Sequence, residues 1–265
     1  MGESTSLYGN RILDGLCKED LSLLRPSICV TNLPVHMQLE QRGRLIEYVY
    51  FPDSGIASVL GGSGRKALEL GIIGKEGMTG IGIILGAKFS PHETFVQCEG
   101  RAWRICAVEL QLAMDQSPAL HRHLLRYALV FFHQVSSTTV ANGIYKVEER
   151  LARWLLMATD RLESDRVPLT HEMLALMLGT RRAGVTTALQ SFAKQGILRT
   201  ERGSVTVIDR RALEAAAHGC YDEHDTQYRR LFGDGTNTGL GSASSQGNVL
   251  SSQHPPTLAA PANYP

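Results

Sequence analysis

The stretch Leu169-Thr170-His171-Glu172-Met173-Leu174-Ala175-Leu176-Met177-Leu178-Gly179-Thr180-Arg181-Arg182-Ala183-Gly184-Val185-Thr186-Thr187-Ala188-Leu189-Gln190-Ser191-Phe192 decides how this chain is read. Thr170 has the side chain of a helix N-cap, and Glu172 places an acid in the first turn, where the helix dipole favours one. Leu174, Met177 and Leu178 form an inward face, and Gly179 supplies a turn. A second helix starts near Arg181-Arg182 and ends at Gly196, with Val185, Leu189 and Phe192 on one face and Ala188 beside them. Ile197 to Thr200 and Ser204 to Ile208 predict a hairpin around Glu201-Arg202-Gly203, and Arg211 to Ala217 a last short helix. Helix, turn, helix and hairpin in this order make a winged helix-turn-helix, which lays its second helix in the major groove of DNA. At 100° per residue, Ala183, Thr186, Thr187, Gln190 and Lys194 fall opposite the buried face, with Arg182 at its edge on the first turn.

Working towards the N-terminus, Lys146 to Leu162 carries Val147, Leu151, Trp154, Leu155, Ala158 and Leu162 at the helical repeat, and Glu163 to Pro168 is a loop. Before it, Ser117-Pro118 opens a long helix, Ser117 as N-cap and Pro118 at the first helical position. Its apolar sector is wide, running from Leu120 through Val140 to Ile144, and Asn142-Gly143 marks a hinge. One side of such a helix can cover its own domain while another pairs with a second copy. Leu124, Ala128, Phe131, Phe132 and Val135 are the residues expected at that dimer contact, the alternative being a helix buried within one chain.

From Ser27 to about Val108 the pattern changes to short stretches broken by Gly, Pro, Asn and Asp. Residues 44–51, 56–60, 67–73, 94–98 and 102–107 read as strands of an antiparallel sandwich or barrel. Leu110 to Met114 reads as a short helix, and apolar residues from Ile12 to Leu24 as one or two more. The fold class is therefore α+β. The domains expected are an N-terminal helical cap at 1–26, a β domain at 27–116, the long helix and hinge at 117–145, and the winged helix at 146–217. The Gly-, Ser- and Pro-rich residues 233–265 read as a disordered tail.

The bulk properties agree with this division. Residues 146–211 hold 12 Lys and Arg against 8 Asp and Glu, a net +4, while the rest holds 15 against 18, a net −3. A basic block in an acidic frame suits a nucleic-acid reader. No apolar run reaches the roughly 18 residues of a membrane span, and the first residues lack a secretory pattern, so a cytoplasmic protein is expected. The five cysteines are widely spaced with no Cys-x-x-Cys, which points to buried reduced thiols and to no metal site. Gly80 to Gly86 has the spacing Gly-x-Gly-x-x-x-Gly, which is not that of a dinucleotide loop, and Gly74-Lys75-Glu76-Gly77 lacks the Ser or Thr of a phosphate loop. His121 and His123 diverge on a helix, and His171-Glu172 lacks a second His. No catalytic constellation is present, so no enzyme and no cofactor are expected.

Together the β half, the long helix and the winged helix resemble the Crp/Fnr superfamily of bacterial transcription regulators. The resemblance covers about Asp14 to Ala217. It is carried by Val147 to Leu156, by Leu169 to Leu198, by Tyr50-Phe51-Pro52-Asp53-Ser54-Gly55-Ile56 and by Gly74-Lys75-Glu76-Gly77-Met78. It implies a cyclic-nucleotide-binding-type β-roll at 27–116 and a homodimer acting on palindromic promoter sites, with double-stranded DNA and RNA polymerase as partners. Family recognition helices often carry Arg-Glu-x-x-x-Arg. Here Arg182 fits, but Ala183 and Thr187 stand at the Glu and second Arg positions. Arg182, Ala183, Thr186 and Thr187 are thus the expected base readers, and Thr170, Arg181, Gln190, Lys194 and Arg202 the expected phosphate contacts. The β half departs further. An effector pocket would involve Glu69, Gly77, Met78, Thr79 and Glu93, yet no Arg stands where a cyclic phosphate needs one, so cyclic AMP is not the expected ligand and the effector is unknown. The alternative reading is a small-ligand sensor whose winged helix contacts proteins rather than DNA.

Overall fold

A computed structural model describes residues 7–62, 64, 67–221, 228 and 230–233 of the chain. The tail expected at 233–265 lies, apart from Gly233, outside the described residues. Two short helices, α1 (Arg11–Asp14) and α2 (Lys18–Leu24), lead into seven strands: β1 (Cys29–Leu33), β2 (Gln38–Glu40), β3 (Tyr48–Pro52), β4 (Ile56–Gly61), β5 (Leu68–Ile73), β6 (Glu93–Cys98) and β7 (Gly100–Cys106). They form two antiparallel sheets, ordered β1-β7-β3 and β2-β6-β4-β5, with the single-turn helix α3 (Ile81–Ile84) between β5 and β6. Helices α4 (Ala107–Gln116), α5 (Pro118–Ile144) and α6 (Val147–Leu162) follow. The winged helix comprises β8 (Arg166–Val167), α7 (His171–Met177), α8 (Arg182–Lys194), β9 (Leu198–Glu201), β10 (Ser204–Val207) and α9 (Arg210–Ala216). The expected mixed α+β architecture is the one observed.

Strands β1 and β2 are absent from the sequence reading, and the first of the expected strands is shorter than anticipated. Strand β1 is mostly exposed, so it lacks the apolar alternation that marks a half-buried strand. Of residues 44–47, Leu45 makes only a single bridge, to Phe89, and pairing with β7 begins at Tyr48. Two of the five cysteines, Cys17 and Cys29, are exposed, contrary to expectation, while Cys98 and Cys220 are buried. Among the described residues, no helix is long and apolar enough to cross a membrane.

Polar side chains fix the helices to the sheets. Asn10 is fully buried and caps α1 by accepting from the backbone N–H groups of Ile12 and Leu13. Its amide donates to the carbonyls of Pro52 and Gly77 at 2.8 and 2.9 Å, so each of its polar atoms has a partner. Helix α5 begins as expected, with the Ser117 hydroxyl accepting from Leu120 N–H at 3.1 Å and Pro118 in the first turn. At 27 residues it is about 40 Å long. It runs straight through Asn142-Gly143, so that pair is not a break. The chain turns instead at Tyr145 and Lys146, both extended, where Lys146 N–H meets the Glu149 carboxylate at 2.7 Å and starts α6.

Strand β5 is the edge of its sheet, and α5 covers that edge. The Gln134 amide accepts from Ile72 N–H at 2.7 Å and donates to Ile72 C=O at 3.1 Å, imitating a neighbouring strand. Nearby, Gly77 packs so closely that a Cβ there would lie 2.1 Å from Tyr127 Oη. Gly77→Ala is therefore expected to destabilise the fold by about 1–3 kcal/mol through overpacking. Gly143→Ala, in a helix with nothing within 4 Å, is expected to stabilise it by up to about 1 kcal/mol. Urea unfolding of the two variants checks both signs.

Candidate nucleic-acid interface

The recognition element is built on a closed apolar core. Leu174, Ala175 and Met177 of α7 and Val185, Ala188, Leu189 and Phe192 of α8 are buried together with Leu151, Trp154 and Leu155 of α6. Thr170 caps α7, its hydroxyl accepting from Met173 N–H at 3.2 Å. Gly179 sits at φ +57° in the turn, a left-handed conformation that suits glycine, and the Leu68 side chain of β5 fills the space beside it. Arg150 of α6 donates to the carbonyl of Leu178 and so holds the same turn from below. The wing is a three-stranded sheet, β8-β10-β9, with Gly203 at φ +77° at its tip.

This scaffold leaves Arg181, Arg182, Ala183, Thr187, Gln190 and Lys194 exposed along α8, with Arg199 and Arg202 exposed on the wing. Among the described residues, no hydrogen bond or ion pair holds the side chains of these arginines, of Gln190 or of Lys194. Thr186 is placed differently from the expectation. It is half-buried, and its hydroxyl shares a 3.0 Å hydrogen bond with His171 Nδ1, tying α8 to α7. The reason is angular: Thr186 lies towards α7, about 60° from the line through Ala183, Thr187, Gln190 and Lys194. His171, Arg150 and Arg199 are not among the interface residues expected from sequence. Only the basic character of Arg199, on a strand next to the wing tip, could have drawn attention to it.

The dimer face read from sequence is corrected in part. Leu124 is fully buried and Phe131 nearly so, both within the core formed by the sheets and helices of the same chain. Ala128 and Val135 are half-buried against that core. Phe132 alone of the five is exposed, at 66%, in a stripe with Leu129 and Val140. The helix is apolar on more than one side, so periodicity could not tell which side its own chain covers.

The five residues expected in an effector pocket do not share one. Met78 and Thr79 are fully buried, Thr79 accepting from Tyr50 N–H at 3.0 Å, and Gly77 lies against Tyr127. Glu93 is half-buried on β6, opposite Leu60. Glu69 faces α6. A groove of about 660 Å³ opens elsewhere, beside Leu39, Glu40, Arg44, Tyr48 and Phe89. The Glu40 carboxylate closes the turn before α3, accepting from Gly80 N–H at 2.9 Å, Ser90 Oγ at 2.8 Å and Thr94 Oγ1 at 3.3 Å. Among the described residues, no group of three His, Cys, Asp or Glu side chains is placed to hold a metal ion.

Two buried carboxylates join the sheet to helix α6 and the winged helix packed on it. Glu69 accepts from Ser58 Oγ at 2.7 Å and from Trp154 Nε1 of α6 at 2.6 Å. Glu76 pairs with Arg161 of α6 at 2.8 Å, both side chains being almost wholly buried. Burial pushes the Glu69 carboxyl up to about 7 from an ordinary value of 4.5, against the pull of Ser58, Trp154, Arg153 and Arg161. The folded state thus holds this proton more tightly than the unfolded state. Its contribution to stability is complete below about pH 4.5 and is lost as pH rises through about 7. Glu69→Gln keeps an acceptor for Trp154 and removes the charge. It is expected to flatten the decline in stability over that interval, measured by urea unfolding at a series of pH values. A variant with the wild-type pH profile would show that Glu69 does not carry it.

Residues 149–216 match the family model of the Crp-like helix-turn-helix domain. A search of curated protein sequences returns no match to this chain. Solved structures resemble it over most of its length. FixK2 from Bradyrhizobium japonicum is 15% identical, with a TM-score of 0.63 over 71% of this chain and 96% of that one. A CRP-family transcriptional regulator from Thermus thermophilus is 19% identical, with a TM-score of 0.61 over 72% and 98%. The c-di-GMP responsive global regulator CLP from Xanthomonas campestris is 14% identical, with a TM-score of 0.60 over 73% and 100%. The chain thus carries a Crp-like helix-turn-helix domain at 149–216 on the fold of the Crp/Fnr transcriptional regulators.

Proposed function

We propose that this protein is a transcription regulator of the bacterial cytoplasm that binds palindromic promoter DNA as a homodimer. The observation that carries the reading is the exposed face of α8. Arg181 at its N-cap, Arg182 at its edge and Lys194 on it have no partner among the described residues, and Arg199 and Arg202 stand on the adjoining wing. Arg182, on the first turn, has the reach for a bidentate contact with guanine O6 and N7. Thr170 at the N-cap of α7, Arg181 at that of α8, Gln190 and Lys194 further along α8 and Arg202 on the wing suit the sugar-phosphate backbone, which fixes register but carries no sequence information.

The dimer forms through the outer stripe of α5, with Leu129, Phe132 and Val140 at its centre, all more than half exposed in the single chain. Two-fold pairing along this helix presents two α8 helices to successive major grooves, with half-sites one helical turn apart, about 34 Å. The β domain acts without cyclic AMP. The turn before α3 already holds the chain's own Glu40 carboxylate, a charge that repels a cyclic phosphate. RNA polymerase is the further partner of such a regulator at a promoter.

Binding of the purified protein to fragments selected from random duplexes tests the reading. Absence of preference for any palindromic fragment at moderate salt would refute it. Arg182→Ala is expected to relax the preference at one base pair per half-site, worth about 1–3 kcal/mol. Arg202→Ala is expected to weaken binding to all sequences alike and to lower the salt slope by about one. Phe132→Glu is expected to shift the protein from dimer to monomer in sedimentation velocity, with its circular dichroism unchanged.

A further inference from the structure

The centre of the α8 face carries almost no charge, and that restricts which bases it can accept. Ala183, Thr187, Gln190 and Lys194 succeed one another at intervals of four, three and four residues, and all are exposed. At 100° per residue they lie within about 60° of one another, so they form the ridge that enters a groove first. The ridge begins with two methyl-bearing side chains, Ala183 and Thr187. The neighbouring hydroxyl, that of Thr186, is already engaged with His171. On the other flank, Gly184 has only Thr180 Oγ1 within reach of a Cβ, at 3.5 Å, so the helix backbone is bare there and can approach closely.

In the major groove each base pair offers hydrogen-bonding groups, and one base alone adds an apolar group, the C5-methyl of thymine. The methyl of Ala183 set against the N4 amine of cytosine or the N6 amine of adenine strips water from a donor and returns no acceptor, as does Thr187 where its methyl rather than its hydroxyl meets the base. Set against the thymine methyl, the same side chain removes two apolar surfaces from water at once. Position 183 is the sharper case. A carboxylate there would accept from cytosine, whereas alanine excludes cytosine.

We propose that Ala183 and Thr187 read thymine methyl groups, so that each half-site presents the guanine taken by Arg182 beside two A·T pairs whose thymine methyls face the ridge. This rests on the DNA-binding function proposed above. Thr186 is then a positioning residue, its hydroxyl spent on holding α8 against α7.

The experiment uses the full chain and duplexes selected from a random library. In the selected sites each thymine near the guanine is replaced, one at a time, by uracil, which keeps the hydrogen-bonding edge and lacks the methyl. Each replacement at a contacted position is expected to weaken binding about fourfold, the factor given by burial of one methyl-sized group. Thr187→Ser is expected to make thymine and uracil equivalent at one position, and Ala183→Gly at the other. Equal affinity of the wild-type protein for thymine and uracil duplexes, with sequence selection still strong, overturns the methyl readout and leaves the DNA-binding function standing. Failure to select any sequence overturns both.

Discussion

A carboxylate removed from water must be given partners, and in this protein that requirement fixes where the winged helix sits. Glu69 lies on β5, and the partner that completes its shell, Trp154, lies on α6. Separating the two would leave a buried acceptor unpaired, at a cost that grows as the surroundings become less polar. Glu76 and Arg161 repeat the arrangement a short way along the chain from β5 and on the same helix. Buried ion pairs contribute little net stability but tolerate few alternative geometries. Two such contacts between one edge of the sheet and one helix therefore define a docking pose. Helix α6 shares its core with α7 and α8, so the pose extends to the recognition helix.

The recognition helix is held from several sides. Arg150 reaches the carbonyl of Leu178, His171 meets Thr186, and the side chain of Leu68 occupies the space that a side chain at position 179 would need. What remains exposed on α8 is therefore presented by a helix anchored to its neighbours through these contacts. In the proposed readout Ala183 and Thr187 would act through shape and dryness rather than through reach, a mode that needs a well-positioned backbone.

The winged helix was legible because its signals are local and mutually consistent. Thr170 and Glu172 mark a start, Gly179 a turn and Gly196 an end, and the apolar repeat between them matches the helical period. The wide reach of α5 and its opening at Ser117-Pro118 were legible for the same reason. What failed was information that is not local. Strand β1 lies exposed with its pairing supplied by β7, so nothing in its own residues announces it. Gly143 suggested a break, but the last hydrogen bond of α5, from Tyr145 N–H to Ala141 C=O at 3.1 Å, spans it. Leu124 and Phe131 look like Leu129 and Phe132 in sequence, and only the position of the sheets separates inside from outside. Likewise Glu69 reads as a pocket residue until the structure shows which face of β5 meets α6, and Glu40 carried no signal at all.

Strand β5 has a wider consequence. Six residues long, it is gripped at Ile72 by Gln134 of α5 and at Glu69 by Trp154 of α6. Each grip uses directional bonds with no intermediate position in which they are half made. Displacing α5 along the strand breaks the Gln134 bonds, and lifting α6 from it breaks the Trp154 bond. Substitutions at Gln134 and Trp154, on helices that meet this strand three residues apart, would then be non-additive, because both act on one strand rather than on two separate contacts.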